Sequence, residues 1–314
     1  DWVGGEKDLK AKLIRTIGAP EERFAEDHLR LLRAVRFAAQ LGFEIEPKTF
    51  AAVQSLAPKI KIISAERVRD ELVKLFMPPH AARGLELLNQ SGLLEHVLPE
   101  LAATLTCEQS PDFHPEGNVF NHLILMLKLL PPDAPSSLVW AVLMHDIAKP
   151  LTASLDPKTG SIHFYEHEKI GAEMTEKILE RLRFPRKQID EIAFTVLHHM
   201  QFKDAPQMRK ATLRRLLMRE TFPLELALHR LDCLGSHGKL DIYDFLTQQA
   251  IELAALPEII PPLLTGEDLI ALGMKPGPAM GALLNEIRDK QLADELKTAD
   301  EAREWARKSI KVGT

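Results

Sequence analysis

Hydrophobic residues recur every three or four positions along most of the chain, which is the period of an amphipathic helix. In the segment 21–41, which Gly42 follows as a natural stop, the apolar stripe consists of Phe24, Leu31, Leu32, Val35 and Ala38. The same period predicts helices over residues 64–76, 81–90, 119–130, 136–148, 168–183, 186–199, 208–221, 223–236 and 239–255. Strand-like alternation is nearly absent, and FEIE at 43–46 is its best example. The pattern predicts an all-α protein.

Clusters of proline and glycine interrupt the helical pattern at residues 107–118, 131–136 and 256–266. We interpret the middle cluster as a loop and the other two as boundaries between segments. The sequence therefore predicts a multi-helical block over residues 1–104, a second helical block over residues 105–255, and a helical tail over residues 256–314.

Composition and charge narrow the range of partners. The net charge of −5 excludes a uniformly basic nucleic-acid binder, although residues 1–90 carry 15 Lys and Arg against 13 Asp and Glu. Any nucleic-acid contact is therefore expected to be local. The two cysteines, Cys107 and Cys233, fit a reducing cytosol, so we expect a cytoplasmic protein. No apolar run approaches the ~20 residues that span a bilayer, so no membrane partner is expected.

Nine of the twelve histidines lie between residues 114 and 237, which suggests a metal site. The apolar run LVWAVLMHDIAKP (138–150) contains His145 and Asp146 side by side. Burying these groups unpaired is costly, and a shared divalent cation that polarises water or phosphate removes that cost. One histidine on a helix is usually an ordinary core or surface residue, but an ordered set on separate predicted helices is stronger evidence.

That ordered set resembles the HD superfamily of metal-dependent phosphohydrolases, named after the dipeptide. The resemblance implies catalytic roles for the dipeptide itself and a main metal site formed by His122, His145, Asp146 and Asp232. Positions that hold a second metal in some members match His167 and one of His198 or His199. The metal would be Mg, Mn, Ni, Co or Zn. We expect Lys149 to be exposed at a helix C-terminus, with a contact to substrate phosphate as the alternative.

Charged residues near the start of the chain share one face of the predicted helix, because they are spaced three or four apart: Glu26, Asp27, Arg30, Arg33 and Arg36. Spacing alone favours a solvated face with Glu–Arg pairs worth ~0.2–0.5 kcal/mol each. The alternative is functional, because aspartate accepts hydrogen bonds and arginine donates several, as reading the edge of a base requires.

Several longer motifs resemble bacterial tRNA nucleotidyltransferases and poly(A) polymerases, the class II CCA-adding family. The resemblance covers essentially the whole chain, including the HD block known in several bacterial members. Its motifs are GGEKDL (4–9), RFAEDHLRLLRAVRF (23–37), ISAERVRDELVKLF (63–76), GLELLNQSGLLEHVLPEL (84–101), LLTGEDLIALGMKPGPAMGALLNEI (263–287) and LKTADEAREWARK (296–308).

The resemblance assigns roles to the charged residues. Asp27 and Arg30 match the residues that select the incoming CTP or ATP by mimicking a Watson–Crick partner, and Arg33 matches a neighbour near the phosphates. The expected role of Glu26 is to support this helix. Arg67 and Glu71 match a motif that braces it, with a simple i,i+4 salt bridge between the two as the alternative. The turn GMKPGPAMG (273–281) is either a contact to tRNA phosphate or an ordinary turn.

The chain departs from the family pattern in one important respect. The family's palm carries a DxD pair that holds two Mg ions, and no strand-flanked DxD occurs here. We therefore expect a chain that begins just after the palm and does not transfer nucleotides alone.

The resulting hypothesis is the neck, body and HD part of an enzyme that adds nucleotides to the 3′ end of tRNA or another RNA. CCA-adding, poly(A), A-only and CC-only activities stay open. One alternative is a stand-alone HD phosphohydrolase or cyclic phosphodiesterase that acts on nucleotides or RNA ends. Another is a non-enzymatic RNA-binding scaffold whose HD site is inactive. The oligomeric state is not predicted.

Overall fold

A computed structural model of the chain describes residues 1–110, 114–255 and 261–312. The predicted breaks at 107–118 and 256–266 both include residues outside these ranges. Helices form most of the described residues, so the all-α prediction is confirmed. None of the described helices is long and apolar enough to cross a membrane.

Outside the segment 21–41, the helices follow the predicted hydrophobic periods. The first eight are α1 (Gly5–Lys10), α2 (Pro20–Glu26), α3 (Leu29–Leu41), α4 (Pro47–Leu56), α5 (Ala65–Leu75), α6 (Ala81–Gln90), α7 (Leu94–Val97) and α8 (Pro99–Ala103). The next five are α9 (Val119–Lys128), α10 (Ser136–Met144), α11 (Lys149–Thr152), α12 (His167–Arg181) and α13 (Arg186–His198). The remainder are α14 (Lys210–Leu217), α15 (Phe222–Gly235), α16 (Asp241–Ala254), α17 (Gly266–Ala271), α18 (Pro278–Leu292) and α19 (Ala299–Val312). Short 3-10 helices occupy Ala57–Ile62, Thr104–Thr106 and Gln201–Gln207.

Strands are confined, within the described ranges, to two small two-stranded sheets. One pairs β1 (Leu13–Ile14) in parallel with β2 (Glu44–Ile45), which lies within the FEIE segment. The other is an antiparallel hairpin of β3 (Ala153–Leu155) and β4 (Ile162–Phe164). These sheets are too small to change the fold class.

The chain forms two compact units, and the candidate metal-binding and nucleotide-binding residues all lie in the first. That unit comprises residues 1–200 and 224–240, and the second comprises residues 201–223 and 241–314. In the second unit, α17 begins with a capping box in which Thr265 and Asp268 each accept from the other's backbone N–H. The predicted segment boundaries after residues 104 and 255 rest on clusters of proline and glycine, whereas the two compact units are defined by contacts in space. The boundaries therefore stay a prediction.

Helix α10 lies at the centre of the first unit. Every residue of α10 from Leu138 to Met144 is buried, and the helix packs against α9, α12 and α13. The Trp140 ring meets Phe76 edge-on at a centroid distance of 5.9 Å and Phe184 at 4.8 Å. Because α10 is surrounded by apolar side chains, the polar residues at its C-terminal end are carried into the interior.

The prediction of a single helix over residues 21–41 is wrong, because the helix is interrupted at Asp27. Helix α2 ends at Glu26, Asp27 is extended with φ −155° and ψ 104°, and α3 begins at Leu29. The Asp27 Oδ1 atom accepts a hydrogen bond from the Leu29 N–H at 3.1 Å. Such a local side-chain bond competes with helix continuation. Glu26 and Asp27 therefore lie at a corner, and not on the face of α3.

Helix α5 braces this corner through ion pairs. Arg67 Nη2 donates to Asp27 Oδ2 at 2.7 Å. Glu71 is only 4% exposed, and it accepts from Arg36 Nε at 2.7 Å and from Arg33 Nε at 3.2 Å. Within the ranges that the structure describes, Arg67 and Glu71 pair with the α2–α3 segment and not with each other.

We expect Glu71→Ala to lower the free energy of unfolding by about 3 kcal/mol, because Arg36, whose side chain is only 12% exposed, would lose its buried carboxylate partner. Urea denaturation followed by circular dichroism measures this change. The control is Glu66→Ala, which removes an exposed carboxylate from the same helix and should change stability by about 0.5 kcal/mol or less. Equal stability of the two variants would contradict the bracing role.

Candidate metal centre and nucleotide-binding helices

Imidazole and carboxylate side chains from five helical segments converge inside the first unit. They come from α9, from the end of α10, from the start of α12, from the end of α13 and from α15. The converging residues are His122, His145, Asp146, His167, His199 and Asp232. All are buried except Asp232, which is half-buried.

His122, His145 and Asp232 form the first cluster, with candidate ligand atoms all within 4.8 Å of one another. His122 Nε2 lies 3.1 Å from Asp232 Oδ1. The Nδ1–H of His145 donates to the Val142 carbonyl at 2.9 Å, which leaves the Nε2 lone pair facing inward. That Nε2 atom is buried and makes no hydrogen bond within the described residues, although Asp146 Oδ2 lies 3.2 Å away.

Asp146, His167 and His199 form the second cluster. The Nε2 atoms of His167 and His199 lie 3.1 Å apart. Asp146 Oδ1 lies 3.5 Å from the first of these atoms and 3.9 Å from the second. The Nδ1–H of His167 can donate to the Phe164 carbonyl at 2.7 Å, and that of His199 can donate to the Val196 carbonyl at 2.7 Å. This places three acceptor atoms face to face. Burial lowers the pKa of His199 to about 3, which keeps its imidazole neutral.

Lys149 supplies positive charge to the buried carboxylate between the two clusters. Its Nζ atom lies 2.7 Å from Asp146 Oδ2 and donates to Gln109 Oε1 at 2.7 Å. Burial opposes ionisation, but the adjacent Lys149 ammonium helps to hold the pKa of Asp146 well below its ordinary value. Lys149 is only 6% exposed, so the expectation of an exposed lysine is wrong. The reason is the buried carboxylate, which draws the ammonium group inward.

The two clusters fit a divalent cation by the chemistry of their donor atoms. His122, His145, Asp146 and Asp232 would hold one ion, and His167 and His199 would contribute to a second. The orphaned His145 Nε2 is the clearest sign, because a buried acceptor without a partner is costly. Neutral imidazole and carboxylate are ligands that suit several divalent metals.

His198 lies outside both clusters. Its Nδ1–H donates to the Phe194 carbonyl at 2.8 Å, and its ring lies 4.0 Å from the Phe194 ring, centroid to centroid. Of the two adjacent histidines that the sequence left open, the structure brings His199 to the centre.

Sequence reasoning missed residues that support the centre without belonging to the expected ligand set. Glu116 contacts His122, and Gln109 contacts Lys149. Gly235 lets α15 approach α9, because a Cβ there would lie 2.9 Å from Met126 Cγ and 3.3 Å from His122 Cε1. Glu116 was visible in the sequence as a carboxylate in the turn directly before α9, but its contact with His122 was not.

At the α2–α3 corner, the structure places the predicted nucleotide-selecting residues in two separate hydrogen-bonded groups. Arg30 Nη1 donates to Glu26 Oε2 at 2.6 Å and to the Arg23 carbonyl at 2.8 Å. Asp27 pairs with Arg67 instead, and although burial opposes the effect, this pairing lowers the pKa of Asp27. Both Asp27 and Arg30 stay partly exposed, at 25% and 34% of their side chains.

Two family models match the chain. Residues 42–105 match the probable RNA- and SrmB-binding site of polymerase A, and residues 117–235 match the HD domain. The second range contains the whole set of converging histidines and aspartates. The first contains α5 and its bracing residues.

Curated relatives extend the likeness over nearly the full chain. An A-adding tRNA nucleotidyltransferase from Deinococcus radiodurans is 36% identical, over 98% of this chain and 74% of the relative. A CC-adding tRNA nucleotidyltransferase from Thermus thermophilus is 35% identical, over 96% of this chain and 72% of the relative.

Among solved structures, the CCA-adding enzyme of Bacillus stearothermophilus, determined in complex with CTP, has a similar fold. It has a TM-score of 0.70 at 24% identity and covers 98% of this chain, which in turn covers 68% of that structure. Together with the family models and the two relatives, this places the chain in the class II CCA-adding tRNA nucleotidyltransferase family.

Proposed function

We propose that this chain supplies the nucleotide-selecting and RNA-binding helices of an enzyme that adds nucleotides to tRNA 3′ ends, together with a divalent-metal phosphohydrolase site. Nucleotidyl transfer would use ATP or CTP and a palm with two Mg ions, which we propose is contributed by a further segment. The two relatives named A-adding and CC-adding support tRNA as the substrate class. A cytoplasmic location is part of the same proposal.

The braced α2–α3 corner is the observation that carries the nucleotide-selecting role. Arg67 fixes the Asp27 carboxylate, and Glu26 fixes Arg30, so an acceptor and a donor group are held in place before any nucleotide arrives. Each carboxylate oxygen retains a second lone pair, and the guanidinium retains further N–H groups. Pre-organised groups lose little entropy on binding a base edge.

The HD site is proposed to hydrolyse phosphoesters. When bound, the metal would lower the pKa of a water molecule and neutralise charge on the phosphoester. The chain's own residues hold the ligands: Val142, Phe164 and Val196 accept the Nδ1–H groups of the three central histidines, and Lys149 fixes one oxygen of Asp146.

A stand-alone HD phosphohydrolase is less well supported. Both relatives align through the first helical block and the HD block together, over 96% or more of this chain. The contact of the turn at 273–281 with tRNA stays a prediction. The hydrolysis experiment below tests the further possibility that the HD site has no catalytic activity.

Asp27→Ala is expected to reduce discrimination between the correct and incorrect nucleotide by about 5- to 150-fold, since a bidentate base contact is worth ~1–3 kcal/mol. The assay uses the protein together with its palm and compares incorporation of CTP, ATP, GTP and UTP on tRNAs that lack one, two or three terminal nucleotides. Glu22→Ala, an exposed change on α2, is the control. Unchanged nucleotide choice in Asp27→Ala would refute the assignment.

His199→Ala is expected to lower the content of bound divalent metal, whereas His198→Ala should leave it unchanged, because only His199 faces Asp146 and His167. Elemental analysis after dialysis measures the metal content. Added metal should also stabilise the wild-type fold, by about 2.7 kcal/mol at 100 times its dissociation constant. Wild-type protein without bound metal would contradict the proposed centre.

His145→Ala is expected to abolish metal-dependent hydrolysis of phosphomonoesters and of 2′,3′-cyclic phosphodiesters, since it removes the orphaned Nε2 ligand. Activity is measured with Mg, Mn, Ni, Co and Zn in turn, with His198→Ala as the matched control. If the metal-loaded wild-type protein hydrolyses no phosphoester, the HD centre is a structural or catalytically inactive site.

A further inference from the structure

Glu116 lies in the tight turn that leads into α9. The Gly117 N–H donates to the His114 carbonyl at 3.1 Å, and Gly117 adopts the left-handed φ of 97° that favours glycine. The Asn121 side chain donates to the Glu116 carbonyl at 3.2 Å. These bonds tie the turn to the first turn of α9, so the Glu116 side chain has a fixed place beside the helix.

The Glu116 carboxylate contacts the ring nitrogen of His122 that points away from the candidate metal. Its Oε1 atom lies 2.7 Å from His122 Nδ1, while His122 Nε2 faces Asp232. His114 Nδ1 lies 2.8 Å from the same oxygen. A glutamate side chain is ordinarily ionised at neutral pH, so His122 Nδ1 faces a carboxylate.

His122 differs from the other central histidines in this respect. The Nδ1 atoms of His145, His167 and His199 face backbone carbonyls, whereas Nδ1 of His122 faces a carboxylate. A charged acceptor forms a stronger bond than a neutral carbonyl. It also raises the basicity of the opposite nitrogen and fixes the orientation of the ring.

We propose that Glu116 is a positioning residue for His122, which holds its proton on Nδ1 and so presents Nε2 to a divalent cation beside His145 and Asp232. This inference rests on the proposed metal centre. Glu116 then contributes to metal affinity without touching the metal. His114 assists, because its Nδ1 atom lies 2.8 Å from the same carboxylate oxygen.

A direct ligand role for Glu116 is the main competing possibility. The ligand atoms of His114, Glu116 and His122 lie within 4.8 Å of one another, and Glu116 Oε2 is buried without a hydrogen-bond partner among the described residues. A cation there would need His122 Nδ1, the same nitrogen that the positioning role assigns to the proton. The number of ions bound therefore separates the two roles.

The experiment titrates the full chain, stripped of metal by a chelator, with Zn²⁺ and with Co²⁺ in a calorimeter. Glu116→Ala is expected to weaken binding by about 10- to 100-fold with unchanged stoichiometry. Glu116→Gln should recover part of the affinity, because its amide oxygen still accepts the Nδ1–H but carries no charge. Glu108→Ala, which removes an exposed carboxylate from the same loop, is the control and should bind as the wild type does.

The visible spectrum of bound Co²⁺ gives a second readout that a purely structural role would not alter. We expect its bands to shift in Glu116→Ala at metal saturation, and to return toward the wild type in Glu116→Gln. If Glu116→Ala fails to fold, as judged by circular dichroism, the near-isosteric Glu116→Gln decides the question alone.

The outcomes distinguish this inference from the metal centre itself. Wild-type affinity in both Glu116 variants overturns the positioning role, and so does the loss of one bound ion per chain. If the wild type binds no metal at all, the proposed centre fails, and the positioning role fails with it. If the wild type binds metal and Glu116→Ala binds it equally well, only the positioning role fails.

Discussion

A buried carboxylate at the end of an apolar helix is the constraint on which the rest of the first unit depends. Helix α10 carries Asp146 into a region without solvent, where an isolated negative charge would cost several kcal/mol. Lys149 pairs with one oxygen, and two imidazoles face the other. One ammonium group does not satisfy the Nε2 atoms of His167 and His199, which lie 3.1 Å apart. A cation shared by the three acceptors does, which is why the site reads as a metal centre and not as a buried ion pair.

The same arrangement explains why the supporting contacts are mostly backbone carbonyls. A carbonyl that accepts Nδ1–H fixes both the tautomer and the direction of an imidazole, and the helical segments around α10 provide such carbonyls without adding charge. Among the central histidines of the described ranges, His122 alone has its Nδ1 atom within hydrogen-bond distance of a carboxylate, 2.7 Å from Glu116.

The sequence allowed the helices and the ordered histidines to be predicted, because both depend on local period and on residue type. The sequence did not allow the interruption of the helix at Asp27 to be predicted. There, a local hydrogen bond from the Leu29 N–H to the Asp27 side chain outweighs the surrounding helical pattern. Nor did the sequence show which of His198 and His199 faces the site. Adjacent side chains on a helix point about 100° apart, and packing in the folded chain decides which of them faces inward. The burial of Lys149 depends on a carboxylate that only the folded chain brings to it.

Both candidate sites lie in the same compact unit and are linked by hydrogen bonds between its helices. Helix α12 carries His167 at its start, and Arg181 at its end pairs with Glu100 at 2.5 and 2.8 Å. Just beyond α12, the Arg183 carbonyl accepts a hydrogen bond from Arg69, which lies on the same helix as Arg67 and Glu71. The helix that braces the proposed nucleotide-selecting corner is thus fixed to the segment that carries His167, a proposed metal ligand. A substitution that disturbs the packing of α12 or α5 would affect both sites, whereas a conservative exchange at a single ligand affects only one. The role of each site is therefore best resolved by near-isosteric changes that leave this shared framework in place.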